Sequence, residues 1–195
     1  MAKGMTETPK LVLFWGSWPS QWHPARFVVD GVEYNCCEQF MMAEKARVFG
    51  DTDARARILA SRDPSDQKML GRTVRDFDKS VWGGVCRGIV YSGNLARFGQ
   101  DEAMRRTLLA TADRTIVEAS PTDRIWGIGL AQHDPRAQDP SQWRGSNWLG
   151  VALMQVRATL AAQAAGREPS LDPWLEEQLA RRRAMDRPAQ EAEVT

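Results

Sequence analysis

Apolar residues near the N-terminus follow a strand-like pattern that changes to a helical one after residue 35. The run LVLFW at 11–15 stops at Gly16, which is typical of a short strand. In FVVDGVEY, two β-branched runs flank Asp30-Gly31, and this dipeptide favours a tight hairpin turn. From Cys36 to Asp51 the apolar residues recur three and four positions apart, which predicts an amphipathic helix.

The rest of the chain shows helical spacing interrupted by one strand and one long loop. TIVEA at Thr115–Ala119 predicts a buried strand, whereas 121–147 is rich in Gly, Pro, Asp and Trp and predicts a loop. Helices are predicted over 51–60, from the Asp63 turn to about Gly71, and over 78–91, 96–110 and 149–163. These elements predict a single α+β domain that is mostly helical, with a few short strands including an N-terminal hairpin.

The composition changes after Gly166. The stretch 171–187 is charged and predicts one surface helix, while 188–195 has too little apolar material to fold. We therefore place the domain at 11–165 and describe 166–195 as an accessory charged tail, partly helical and then disordered. No internal repeat is visible.

Bulk composition excludes several classes of protein. The chain has 195 residues, 43% of them apolar, and a net charge of +1, so no overall attraction to nucleic acid or membranes is implied. Neither a signal peptide nor a membrane span is expected, because no apolar run is long enough. The three cysteines, two of them at Cys36-Cys37, form no disulfide framework and indicate a reducing, cytoplasmic location. With only two histidines, we expect no metal site.

Two opposite charges interrupt the apolar stripe of the Cys36–Asp51 helix. Glu38 and Lys45 share a face with Met41 and Met42, and they lie about 10 Å apart along the helix axis. A solvated face or two separate salt bridges would explain them. A pocket is the alternative, and there burial would lower the pKa of the lysine and raise that of the carboxyl.

Three further clusters have both a structural and a functional interpretation. Asp123 follows a strand and a proline turn, where it could cap its own backbone or act as a catalytic acid. Asn147 precedes a strong helix as an N-cap or as part of a phosphate site. Arg72 follows Gly71 and could bind phosphate. The eight tryptophans suit either packing or stacking on a flat heterocycle.

Taken in order, these segments resemble the NADAR family, named for a suspected link to NAD and ADP-ribose. EQFMMAEKARVFGD resembles one family block, with Gln39 where the family usually has His, and LGRTVRDFDKSVW resembles the next. VEASPTDRIWGIGL, WRGSNWLG and ALMQVRATL match the remaining blocks. The resemblance runs from about Phe14 to Leu160. Each motif alone is weak, but five in order at family spacing are specific.

The resemblance implies that the 11–165 domain is an N-glycosidase that cleaves the bond between ribose and an exocyclic amine. The first expected reaction is removal of ADP-ribose from guanine bases, so the partner would be ADP-ribosylated DNA or RNA. The alternative is clearance of small ribosylamino-pyrimidine phosphates, early intermediates of riboflavin synthesis. A third alternative is a non-catalytic ADP-ribose binding module, which has no need of a paired acid and amine. No cofactor is expected.

The resemblance also implies roles for individual residues. Lys45 would attack the ring-opened ribose as a nucleophile, Glu38 would transfer protons, and Asp123 would assist as an acid/base or ribose ligand. In a rival mechanism Glu38 and Asp123 act as a glycosidase pair and Lys45 only binds. The expected substrate-binding residues are Trp82, Trp126, Gly127, Arg72, Asn147 and Ser20.

Overall fold

A computed structural model describes residues 4–186, which form two small sheets surrounded by helices. The first sheet contains β1 (Gly4–Glu7), β2 (Leu11–Trp15) and β5 (Thr115–Glu118) in the order β1-β2-β5. β1 is antiparallel to β2, and β2 is parallel to β5 with Leu11 opposite Thr115. The second sheet is the predicted hairpin of β3 (Phe27–Val29) and β4 (Val32–Tyr34), whose turn residues Asp30 and Gly31 have φ of 50° and 77°. Positive φ at both turn positions is the geometry that Asp-Gly favours.

The helices supply most of the structure and confirm an α+β domain that is mostly helical. Their bounds are α1 Cys37–Val48, α2 Thr52–Ala60, α3 Pro64–Arg72, α4 Lys79–Gly83, α5 Cys86–Gln100, α6 Glu102–Leu109, α7 Trp148–Ala164 and α8 Pro173–Asp186. α1 packs against α2, α3 and α5, while α7 packs between α5 and β5. The main apolar core lies among these helices, and a smaller one lies under the 121–147 loop. None of the helices within residues 4–186 is long and apolar enough to cross a bilayer.

The predicted breaks between α4, α5 and α6 were wrong. The sequence predicted helices over 78–91 and 96–110, but α4 ends at Gly83 and α5 runs without interruption from Cys86 to Gln100. α5 tolerates Gly93 in its interior because α1 crosses there, and a Cβ at Gly93 would lie 2.5 Å from a carbon of Phe40. The next helix begins only after Asp101, whose side chain accepts a hydrogen bond from the N–H of Met104.

The tail helix is partly buried rather than lying on the surface. α8 packs on α5, Leu175 is fully buried, and the side chain of Gln178 bonds the backbone of Gly83 and Gly88. The predicted disorder over 188–195 lies outside the described residues. Whether the 166–195 segment is accessory to the reaction stays a prediction.

The two parallel strands determine where the site can form. β2 and β5 run side by side with Phe14 opposite Glu118, so their carboxyl ends open at the same edge of the sheet. Ligands commonly bind outside the carboxyl ends of parallel strands, where the connecting loops diverge. The chain leaves β2 through Trp15-Gly16 and leaves β5 through Ala119-Ser120, and a large cavity lies beyond these two exits.

Candidate active site

A cavity of about 1080 Å³ lies between α1, α3 and the loops that follow β2 and β5. That volume is at the upper end of what small-molecule sites offer, so a ligand with several rings fits. Six of the nine residues expected from the sequence line it: Ser20, Glu38, Lys45, Arg72, Asp123 and Trp126. The wall also contains Trp22, His23, Lys68, Glu118 and Ile125, which the sequence analysis did not place in the site.

A buried arginine holds the loop after β2 in place. Arg97 of α5 is fully buried and donates hydrogen bonds to the backbone carbonyls of Trp18 and Ser20. The next carbonyl in the chain, that of Gln21, accepts from the N–H of Glu38 at 3.0 Å. The Ser20 hydroxyl accepts from the N–H of Trp22 at 3.2 Å. The loop and the first turn of α1 therefore form one rigid wall.

Glu38 is buried in this wall with only 6% of its surface exposed. Desolvation is the main cause that raises the pKa of its carboxyl from 4.5 to about 7. The negative charge of Asp123 adds to the rise, whereas Lys68, Arg72 and a hydrogen bond from Trp22 oppose it. Glu38 can therefore carry or release a proton near neutral pH.

Lys45 is half-buried two turns further along α1. Its ammonium nitrogen donates to the carbonyl of Gly71 at 2.7 Å and lies 4.1 Å from the ring centre of Phe77. Burial lowers the pKa of Lys45, so a neutral amine is more accessible than for a solvated lysine. The contact with α3 requires glycine at 71, because a Cβ there would lie 2.0 Å from the sulfur of Met42.

Asp123 has the first of its two predicted roles, that of capping its own turn, and its predicted role as a catalytic acid stays a prediction. Its Oδ1 accepts hydrogen bonds from the N–H groups of Ile125 and Trp126, each at 2.8 Å, so it does cap its own turn. The residue also lines the cavity, and its charge acts on both Glu38 and Glu118. Trp126 lies in the same wall and packs edge-on against Trp148 at 5.8 Å.

Three residues expected to bind substrate do not line the cavity. Trp82 is half-buried, with its ring centre 6.0 Å from the Lys45 nitrogen. Asn147 is buried with φ of 51°, forms no side-chain cap of α7, and bonds β5 instead. Gly127 lies against the carbonyl of Glu118, 2.8 Å from where its Cβ would be. The structure therefore places Asn147 and Gly127 as supports of the site rather than in the cavity wall.

Gln39, which stands where the resembled family has His, has a structural position. Its side-chain nitrogen donates to the carbonyls of Ile58, Leu59 and Ser61, and its oxygen accepts from the N–H of Asn35. The residue thus ties α1 to the C-terminal end of α2, where helix carbonyls otherwise lack partners.

Glu118 is the most informative residue that the sequence analysis missed. It ends β5, lines the cavity, and has a pKa raised to about 8, first by desolvation and then by Asp123 and Glu38. Lys68 opposes that rise. The available signal was a carboxylate directly after the buried pair Ile116-Val117, in a strand interpreted only as core.

Cationic side chains surround the acidic interior of the cavity. Lys68 is half-buried, and Arg72 and Arg124 are exposed in the same lining. An anionic group such as a phosphate is attracted to this rim, whereas the interior favours groups that become positively charged. Within residues 4–186 no group of three or more His, Cys, Asp or Glu is arranged to hold a metal ion.

Comparison with known proteins agrees with this architecture. A family model described as the NADAR domain matches residues 13–161. The protein irg-1 of Caenorhabditis elegans is 41% identical over 131 residues, which is 66% of this chain and 62% of that protein. N-glycosidase R617 of Acanthamoeba polyphaga mimivirus is 39% identical over 164 residues, covering 77% of this chain and 96% of that protein.

A solved structure shares the fold. The NMR structure of the Escherichia coli protein YbiA superposes with a TM-score of 0.68 at 24% identity, covering 84% of this chain and 92% of that one. The matched blocks include the helix with Glu38 and Lys45 and the loop with Asp123. The family predicted from five short motifs is confirmed, and the chain belongs to the NADAR domain family.

Proposed function

We propose that this protein is an N-glycosidase that hydrolyses the bond between ribose and an exocyclic amine. Its preferred substrate would be guanine in DNA or RNA that carries ADP-ribose. One observation carries the proposal: the half-buried Lys45, whose pKa is lowered, shares a cavity with Glu38 and Glu118, whose pKa values are raised. This combination makes a neutral amine more accessible than for a solvated lysine and places proton donors in the same cavity. A module that only bound ADP-ribose would not need to bury these charges.

The chemistry follows from these protonation states. The lone pair of the exocyclic nitrogen forms a C=N bond to C1′ while the C1′–O4′ bond breaks, and a protonated carboxyl such as Glu38 gives its proton to O4′. The neutral amine of Lys45 then adds to C1′. A proton moves from that amine to the exocyclic nitrogen, and the base leaves while an imine forms between C1′ and Lys45. Water hydrolyses the imine, which releases the sugar and restores the lysine.

The rim supports a substrate that carries phosphate. Lys68, Arg72 and Arg124 can neutralise a diphosphate outside the cavity while the ribose reaches the carboxyls inside. Trp22 and Trp126 offer ring faces and edges for a heterocycle. The relative R617 is named an N-glycosidase, which agrees with the reaction class. The predicted cytoplasmic location stays a prediction.

Two alternatives define the test. Ribosylamino-pyrimidine phosphates carry the same ribose–amine bond and one phosphate, so they compete as substrates. In the rival mechanism Glu38 and Asp123 act directly as a glycosidase pair without an imine. The first alternative concerns the substrate and the second concerns the role of Lys45, so separate measurements decide them.

The experiment compares turnover of two substrate types by the same enzyme preparation. ADP-ribosylated single-stranded DNA and a ribosylamino-pyrimidine phosphate are incubated with the protein, and the released base and sugar are quantified by mass spectrometry. We expect kcat/KM to be higher for the ADP-ribosylated DNA. A higher kcat/KM for the pyrimidine would reassign the substrate, and binding of ADP-ribose without turnover of either substrate would indicate a binding module.

A further inference from the structure

Three structural features of the β5 edge converge on one residue, Glu118. Its N–H donates to the side-chain oxygen of Asn147 at 3.0 Å, and its carbonyl accepts from the N–H of Ile128 at 2.9 Å. Gly127 lies so close to that carbonyl that a Cβ would approach it to 2.8 Å. The backbone of Glu118 is thus held on both sides, by two of the residues that the sequence had assigned to substrate.

The support extends to the start of α7. Asn147 adopts a left-handed conformation, and its amide nitrogen donates to the carbonyl of Ile116 at 2.9 Å. Gly150 allows this approach, since a Cβ would lie 2.1 Å from the same carbonyl. Asparagine is among the few non-glycine residues that adopt this conformation readily. Its amide bridges the backbone of Ile116 and Glu118, so it holds the end of β5 in a fixed position.

One carboxyl oxygen of Glu118 accepts no hydrogen bond from the described part of the chain. Oε2 is buried and has no hydrogen-bond partner within residues 4–186, although the residue lines the cavity. An unpartnered buried carboxyl oxygen is costly and calls for an explanation such as a catalytic role. By contrast, Oδ1 of Asp123 already accepts from two backbone N–H groups.

We propose that Glu118, rather than Asp123, is the acid/base partner of Glu38, and that Asp123 acts through its charge on both. This inference rests on the proposed function. The reaction requires one carboxyl that starts protonated and one that starts ionised. The cavity provides the buried Glu38 and the half-buried Glu118, and the charge of Glu38 acts on Glu118. The protonated member gives its proton to O4′ as the C1′–O4′ bond breaks. The ionised member takes the proton that Lys45 loses on adding to C1′ and returns it to the departing amine, so the protons balance.

The charges facing this pair set how it titrates. Asp123 raises the pKa of both Glu38 and Glu118, while Lys68 lowers the pKa of both, and Arg72 lowers that of Glu38. Two interacting carboxyls lose their protons in two steps that belong to the pair. The raised pKa of Glu118, about 8, places the second step above neutral pH. At pH 7 the pair therefore retains a proton.

The test compares pH profiles of kcat/KM for Glu118→Gln and Asp123→Asn, with Glu102→Gln on the exposed face of α6 as the control. We expect Glu118→Gln to lose about 10²–10⁴-fold in rate, the range for a lost acid/base group. The alkaline limb of its residual activity should move to lower pH, because Glu38 loses a neighbouring negative charge. Asp123→Asn should shift that limb in the same direction with a smaller loss of rate. A Glu118→Gln enzyme within threefold of wild type with an unmoved limb would overturn the proposal.

A second measurement keeps this test separate from the proposed function. Carboxyl titration of the ¹³C-labelled wild-type protein by NMR requires no substrate, and two glutamate signals should titrate above pH 6. Glu118→Gln should remove one signal and lower the midpoint of the other. If neither substrate is turned over, the proposed function fails. If the two glutamates titrate independently at ordinary values, the pair fails whatever the substrate.

Discussion

Two buried glutamates of α1 have opposite surroundings, because one is ion-paired and the other is not. Glu44 is only 4% exposed and lies on the side of α1 that faces α8. Its carboxylate accepts hydrogen bonds from Arg47 at 2.9 and 3.1 Å and from Arg182 of α8 at 3.0 Å. Glu38, 6% exposed on the cavity face, forms no ion pair within the described part of the chain. The helix thus neutralises one carboxylate with guanidinium groups and leaves the other dependent on a proton. Charge pairing thus distinguishes the face of α1 that bonds to α8 from the face that lines the cavity.

The same contrast holds for the cations. Arg182 pairs with Glu44 and lies 5.9 Å from the ring centre of Phe40, so it attaches the tail helix to α1. Lys45, on the other face, has a backbone carbonyl and an aromatic ring beside it. A neighbouring carboxylate would raise the pKa of a lysine, whereas burial lowers the pKa of Lys45.

The largest expected effect comes from removing the free amine while keeping its charge. Lys45→Arg should abolish turnover, because a guanidinium cannot supply a neutral nitrogen at physiological pH. Borohydride added during turnover should link the sugar to Lys45 of the wild-type protein, with the adduct located by mass spectrometry. Lys79→Arg at the exposed start of α4 is the matched control, and it should retain both turnover and the borohydride adduct. Substantial activity of Lys45→Arg with no trapped adduct would favour the direct two-carboxylate mechanism.

A smaller loss should follow from changing the unpaired carboxylate. Glu38→Gln preserves shape but cannot transfer a proton, so kcat/KM should fall by about 10²–10⁴-fold. Because Glu38 has no ion pair to lose among residues 4–186, the variant should unfold at or above the wild-type temperature. Glu33→Gln, on the exposed hairpin strand β4, serves as the control for activity. Near wild-type turnover of Glu38→Gln would remove this residue from the chemistry.

The paired carboxylate should show the reverse behaviour. Glu44→Gln removes the buried carboxylate that accepts from Arg47 and Arg182, so the free energy of unfolding should fall by about 3 kcal/mol, as for other broken buried pairs. Turnover of the remaining folded enzyme should stay within a few-fold of wild type. Denaturant unfolding of Glu44→Gln and Glu38→Gln side by side checks both statements. Equal stability of the two variants would contradict the claim that Glu44 stabilises the fold and Glu38 does not.

The smallest expected effect is in the pH dependence of stability. The pKa of Glu38 is about 7 in the folded protein against 4.5 for an ordinary glutamate, so the folded state binds more protons between these values. Stability therefore decreases as pH rises from about 4.5 through 7. In Glu38→Gln this part of the decrease should vanish. Thermal unfolding from pH 5 to 8 measures the difference, and parallel curves for the two proteins would contradict it.

Local pattern was sufficient for much of the fold. The hairpin at Asp30-Gly31, the α1 stripe and the α7 helix follow from turn chemistry and helical spacing, which depend on near neighbours. The spacing of Glu38 and Lys45 on an apolar stripe also made a pocket one of the two explanations for their charges. The break at Asp101 was missed because α5 continues through Gly93, where Phe40 of α1 packs closely.

Only the tertiary structure decided what completes the site. Glu118 sits at the end of a strand whose pattern indicates core, and it becomes a cavity residue because β5 runs parallel to β2. Asn147 has the sequence context of a helix cap, yet its side chain reaches residues 29 and 31 positions away in the chain. The raised pKa values of the carboxyls likewise depend on burial by several segments. Sequence spacing reports the faces of single elements, whereas contacts between distant segments determine which groups meet.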